Sequence, residues 1–409
     1  MRTIINNAKI FDGTGAALKD GSVVIEDKHI TLISDEPMAA KPGDIVIDAA
    51  GKTLMPGMVE AHAHLTWPTS VEKFVPGMFL PPEELALNTA RNARILLDHG
   101  FTSAYSAGAL SKTLEVSLNE HLKSGGLPGP RLIPSSVERE PPNESELDPG
   151  HVESHARGPE GVKAFVKDCA DLGAKAIKFL ISGESALKPG ASLELLYTEE
   201  EIMAAGEQAR ESNVWLTGHA HASDAVKYGV KAGFRILYHC TYADEEALDM
   251  LAAKKDEMFV APTIGIVQAT LDATPPPHMD MTHMKDDAAV VLSRLKEVVP
   301  ALKARGVRLL PGGDYGFPFN PNGRNARDLE LWVEHFGYTP AETLHAATQL
   351  GGQLMGMEDE LGLIKEGYLA DLLLIDGDPT EDVTIMQNKD SIVMIMQEGR
   401  LYKKPSNDS

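Results

Sequence analysis

TLMPGMVEAHAHL, residues 53–65, is an apolar run that ends on a His-Ala-His pair and leads into a helical pattern, PPEELALNTARNARILLDHG (81–100). Short apolar runs bounded by Gly, Pro and polar clusters mark strands. The same unit recurs through FTSAYSAG (101–108), PRLIPSS (130–136), AKAIKFLISG (174–183), NVWLTGHAH (213–221), RILYHCTY (235–242), MFVAPTIG (258–265) and VRLLPGGDYG (307–316). Helical patterns separate them, several opening on an N-cap residue with an acidic first turn and closing on Gly. Eight strand–helix units predict an α/β fold, a closed (β/α)8 TIM barrel, for which about 250 residues is typical. An open doubly wound sheet is the alternative, but no GxGxxG fingerprint follows the first strand.

Both flanks read differently. Residues 1–52 and 360–409 alternate short strands with turns, as in GSVVIEDKHITLISD and SIVMIMQEGRLY, and are expected to join in one small β-sandwich beside a barrel domain at 53–359. Two connections within the barrel are long, 137–158 and 267–285. Both follow strands, so they are expected to hang over the carboxyl face, where barrel active sites lie, as substrate lids.

Composition narrows the class. Apolar residues make up 43% of the 409 and charged residues 24%, and no run approaches the roughly 20 apolar residues of a membrane span, which excludes a membrane protein and a disordered chain. A net charge of −22 without a Lys/Arg run argues against nucleic acid and anionic lipid as partners. MRTIINNAKIFDGTG has no signal-peptide core, and the two cysteines, Cys169 and Cys240, form no CxxC pair, so a cytoplasmic location is expected.

Chemistry concentrates at the strand ends. A spacing of two puts His62 and His64 on one face, able to converge on one metal, although a lone HxH is also compatible with two polar strand-end residues. Ile177, Phe179 and Ile181 are expected to face the helices, which turns Lys178 inward with Ala176. A lysine pointing into a barrel is costly unless it is neutralised, used, or snorkels to the mouth. His219 and His221 close the fifth strand, His239 the sixth and Asp314 the eighth. Imidazoles with a carboxylate suit zinc or another divalent first-row metal, and spacing alone leaves open which of His219 and His221 is the ligand. Tyr105 at the end of the second strand, Arg139, His151, His155 and Arg157 on the long third loop, and Thr66, Trp67 and Phe317 beyond ligand strands are candidate substrate contacts. An arginine there could clamp a substrate carboxylate, or simply neutralise Glu138, Glu140 and Glu153.

These residues together resemble the amidohydrolase superfamily of metal-dependent hydrolases. GKTLMPGMVEAHAHL, IKFLISG, TGHAHA, LYHC and GGDYG resemble its successive ligand strands, and AATQLGGQLMGMEDELGLIKEGYLADLLLIDGDP its return into the terminal domain, so that the likeness spans nearly the whole chain. It is most similar to the imidazolonepropionase-like branch, with Xaa-Pro and related dipeptidases and amidases that cleave N-acyl amino acids, ochratoxin-type hydrolases among them. The resemblance implies two divalent metal ions, zinc for preference, with His62 and His64 on one and His219 and His239 on the other. It also implies that Lys178, carboxylated by CO2, bridges them, that Asp314 binds the first and handles protons, and that His221 contacts substrate. The implied reaction is cleavage of a peptide-type or N-acyl amino acid amide by a metal-activated hydroxide, in a homo-oligomer. Superfamily deaminases carry Glu three residues after the fifth-strand histidine, where this chain has Ala222, and the imidazolonepropionases lack the lysine. Hydrolysis of a lactam, carbamate, urea or ester, or decarboxylation, would use the same ligands.

Overall fold

The computed structural model describes residues 2–69, 80–140, 157–186 and 188–405. The chain opens with strands β1 (Arg2–Ile10), β2 (Lys19–Glu26), β3 (His29–Ser34), β4 (Ile45–Asp48) and β5 (Thr53–Pro56). Then come β6 (Met58–Ala63), β7 (Phe101–Ser106), β8 (Arg131–Ile133), β9 (Ala176–Leu180), β10 (Trp215–Ala220), β11 (Ile236–His239), β12 (Phe259–Ala261) and β13 (Arg308–Leu309). It closes with β14 (Leu372–Ile375), β15 (Ile392–Gln397) and β16 (Arg400–Lys403).

All eight central strand candidates are strands, and their pairing is parallel throughout. They form two arcs, β6–β7–β8 and β9–β10–β11–β12–β13. Isolated parallel bridges link the arcs at both seams, Ser135 to Ala176 and Arg139 to Phe179 at one and Ala63 to Tyr315 at the other. Helices follow the strands as the capping chemistry requires. Thr198, for example, caps Glu199–Ser212 in a reciprocal box with Glu201.

Alternation sorts the strand residues into two layers. Ile177, Phe179 and Ile181 pack outward with Val162 and Phe165 of the helix Pro159–Asp171, whereas Ala176 joins Val59, Tyr105, Ile236, Tyr238 and Phe259 in an inner core. Lys178, on the inner side, is buried above that core.

Both chain ends contribute to one eight-stranded sheet in the order β16–β15–β14–β5–β1–β2–β3, with β4 on β1. Ile5, Val23, Leu54, Leu372 and Met394 form a core of their own, and Leu373, Ile375 and Ile392 pack with Leu97 and Phe101. The run 53–65 is therefore two strands. Residues 53–56 belong to the terminal sheet, and the chain passes to β6 at Gly57, where a Cβ would collide with the Thr102 side chain. The stretch 267–285 is also more ordered than a lid loop: helix Ile264–Asp272 occupies its first part and helix Thr282–Ala304 begins before its end. Most of the 137–158 loop lies outside the described residues, and among those described no helix is long and apolar enough to cross a membrane.

Candidate active site

At the carboxyl ends of the central strands, two groups of side chains converge: His62, His64 and Asp314, and His219, His221 and His239. Within each group the ligating atoms lie within 4.8 Å of one another. Lys178 enters the same cavity, of about 440 Å³, with His64, Asp314 and the second trio.

Local backbone departures make this convergence possible. The β6–β7 register shifts between Glu60 and Ala63, so Val59 and Ala61 face the inner core while His62 and His64 turn toward Asp314. His239 has φ 71° and Asp314 φ 61°, the left-handed region that costs a non-glycine residue of order 1–3 kcal/mol. At His239 the turn lets two consecutive side chains face inward: Tyr238 stacks on His62 at 3.7 Å, and His239 lies 4.3 Å from the ring of His219.

Electrostatics keep the ligands in metal-ready form. Burial holds the imidazoles of His62 and His239 well below the usual histidine range and that of His219 down to about 3, helped there by neighbouring His221, so all three are neutral near pH 7. Burial alone would raise Asp314, but His62, His64 and Lys178 outweigh it and keep the carboxylate ionised. Its Oδ1 lies 3.0 Å from His64 Nε2 and 3.5 Å from His62 Nε2. Burial also lowers the pKa of the Lys178 ammonium, which donates to the Ala107 carbonyl at 3.0 Å and lies 4.6 Å from the Tyr238 ring centroid.

Several of these atoms are buried without hydrogen-bond partners: both ring nitrogens of His62, Nε2 of His239 and Oδ1 of Asp314. Such groups are expensive to leave bare. Neutral imidazoles and a carboxylate are the donor set that suits divalent zinc, so the residues present fit a metal at each cluster.

Two carboxylates escaped the sequence reading as site groups. Glu184 Oε2 lies 3.3 Å from His221 Nε2 and 3.9 Å from His219 Nε2, and despite burial these histidines hold it down to about 2. Glu138 Oε1 lies 3.7 Å from His64 Nδ1. Alternation past β8 carries the signal for Glu138, because the chain stays extended and Arg139 bridges Phe179.

Other expected contacts lie elsewhere. Arg139 turns outward, with its guanidinium 5.0 Å from the Phe165 ring centroid. Tyr105 sits in the inner core, stacked with Trp215 at 6.1 Å. Neither is among the cavity residues, and neither is Arg157, which is exposed. His151 and His155 fall outside the described residues. Trp67 and Phe317 do line the cavity, Trp67 stacked on His64 at 4.8 Å.

A model of the amidohydrolase family matches residues 53–402. Ochratoxinase of Aspergillus niger is 27% identical over 438 residues, covering 98% of this chain and 87% of that protein. Imidazolonepropionase of Symbiobacterium thermophilum is 23% identical over 435 residues, covering 97% and 92%. Among solved structures, a Xaa-Pro dipeptidase with methionine bound in its active site superposes with a TM-score of 0.85 at 25% identity, over 98% of this chain and 100% of that one. These relatives are of the branch that the sequence resembles, and a family match over most of the chain decides membership: the chain belongs to the amidohydrolase family and is a hydrolase acting on carbon–nitrogen bonds.

Proposed function

We propose that the chain is a binuclear metal-dependent amidohydrolase that cleaves a peptide-type or N-acyl amino acid bond in a small molecule. The observation that carries this reading is the convergence of two trios, with unpartnered ligand atoms in each and five of the six side chains lining one cavity. Similarity to ochratoxinase and to a Xaa-Pro dipeptidase supports the choice of bond.

His62, His64 and Asp314 would hold one divalent ion, and His219 and His239 the other. Lys178 would bridge them as a carbamate. Burial supports that role, because it favours the neutral amine, the form that attacks CO2 with loss of a proton. Two divalent ions, zinc for preference, supply Lewis acidity that polarises the substrate carbonyl and lowers the pKa of water from about 15.7 towards 7. Asp314 then takes the proton of the attacking water as the C–O bond forms, and delivers it to the nitrogen as the C–N bond breaks. His221 contacts the substrate from the cavity wall. Arg139 and Tyr105 are not part of the proposal, given where their side chains lie.

For the fold, the bridges at both seams support a closed (β/α)8 barrel that begins at β6 and runs to about residue 359, and the self-contained apolar core of the terminal sheet supports a sandwich-like second domain from 1–56 and 360–409. A cytoplasmic homo-oligomer completes the proposal.

The test is release of free amine by the zinc-loaded protein from dipeptides and N-acyl amino acids, with metal counted per chain. Lys178→Ala is expected to lose both metal and activity; two metals retained in that variant would remove the bridging role.

A further inference from the structure

One wall of the cavity is largely apolar and comes from a single stretch of chain, which also brings Thr270 and Asp287 to the cavity. Ile266, Val267, Met279, Met281, Met284 and Val291 line it, carried by the helices Ile264–Asp272 and Thr282–Ala304 and the turn between them. This is the stretch expected from sequence to be a lid. Three methionines within six residues give the wall flexible, polarisable side chains that adapt to the shape of an occupant. The polar groups of the site, Lys178, Glu184 and Asp314 among them, line the same cavity.

Such a surface beside a polar centre gains free energy when an apolar group of the ligand covers it. We infer that this wall is a specificity site for a bulky apolar group, branched aliphatic or aromatic, carried next to the scissile carbonyl. The inference rests on the amide-hydrolase reading of the same cavity. Charge agrees with it: among the described residues no arginine lines the cavity, and its lysines, Lys178 and Lys188, are outnumbered by carboxylates, so recognition at this wall is through apolar surface and not through a guanidinium–carboxylate clamp.

The probes are neutral: N-acetyl-glycinamide, -alaninamide, -leucinamide and -phenylalaninamide. Binding to the zinc-loaded full chain is read by stopped-flow tryptophan fluorescence before turnover, with Trp67 as the reporter in the cavity. Each buried methylene is worth about fourfold in affinity, so Kd is expected to fall at least about tenfold from the alanine to the leucine probe. Equal affinity for the four probes within about twofold overturns the inference. Two variants locate the effect. Ala288→Leu fills space at the wall, and Met284→Glu, at a half-buried position on the first turn of its helix, makes the wall polar. Each is expected to abolish the gain for leucine and phenylalanine and leave the glycine probe unchanged, and either one suffices if the other fails to fold. Retention of the full gain in a folded variant assigns it to another surface and overturns the inference. If the gain appears and no amide is cleaved, the amide reading fails while the wall stands; if amides are cleaved without a size preference in binding, the reverse holds.

Discussion

The Asn320 carboxamide donates to the carbonyls of Gly313 and Asp314 at 2.9 and 2.8 Å, and so grips the peptide groups on both sides of the Asp314 Cα. The same short segment holds the neighbouring strand end. Asn322 donates to the His64 carbonyl at 3.2 Å, Asn325 to Glu60 Oε2 at 2.7 Å, and Asp328 accepts from Gly312 N at 3.0 Å. Residues 320–328 therefore tie the ends of β6 and β13, which carry one of the trios, across a seam that the strands themselves join by a single bridge. The left-handed backbone at Asp314 persists because these bonds over-determine it.

Asn320→Ala leaves two carbonyls without their donor in a buried loop. It is expected to cost about 1–3 kcal/mol in urea unfolding of the metal-free chain and to lower the zinc content per chain. Unchanged stability with full metal content would show that Asn320 is incidental to Asp314.

Asp314→Asn is nearly isosteric and keeps an oxygen toward His62 and His64, but cannot accept and return a proton at neutral pH. Turnover is expected to fall at least about a hundredfold, within the range that general acid–base catalysis contributes, with fold and metal retained. Steady-state kinetics beside metal analysis checks this, and near-native turnover refutes the role.

Glu115 is fully buried, and burial pushes its carboxyl up to about 7 against hydrogen bonds from Ser106 and from Ser135 N. Between its unfolded value near 4.5 and about 7 the folded chain holds a proton that the unfolded chain has lost, so this group makes stability fall as pH rises through that window and level off above it. Glu115→Gln stays neutral at every pH. The variant is expected to match the wild type near pH 4.5 and to exceed it by on the order of 3 kcal/mol at pH 8, in urea unfolding of the metal-free chain. A difference that does not change with pH would rule out a raised carboxyl.

Strand periodicity made the site legible, because apolar runs placed His62, His64, His219, His239 and Asp314 at carboxyl ends and turned Lys178 inward without any tertiary information. Breaks in regularity were harder to read. Gly57 divides one apolar run between two sheets, and only the Thr102 side chain packed against it reveals why. From sequence Arg139 is a candidate carboxylate clamp or a partner of local glutamates, yet the backbone past β8 stays extended and alternation sends Arg139 outward and Glu138 to the cavity. Glu184 carries no local signal at all. Its neighbours His219 and His221 are more than thirty positions away, and only the parallel pairing of β9 with β10 brings them together.

The fifth-strand pair is where sequence left two candidates, and hydrogen bonding favours one of them. His221 has protein partners at both nitrogens, Thr241 Oγ1 at 2.9 Å from Nδ1 and Glu184 Oε2 at 3.3 Å from Nε2. His219 is held more loosely, its Nε2 3.3 Å from the Gly183 carbonyl and 3.9 Å from Glu184 Oε2, and beside it His239 Nε2 has no partner. A nitrogen already committed to a carboxylate must break that bond to take a metal, so His219 is the cheaper ligand. His219→Asn is expected to bind one zinc per chain in place of two, whereas His221→Asn keeps two and raises KM more than it lowers kcat. Metal analysis of the two variants decides: loss of zinc in His221→Asn with full metal in His219→Asn would exchange the two roles and make the Glu184–His221 contact a feature of the metal-free chain alone.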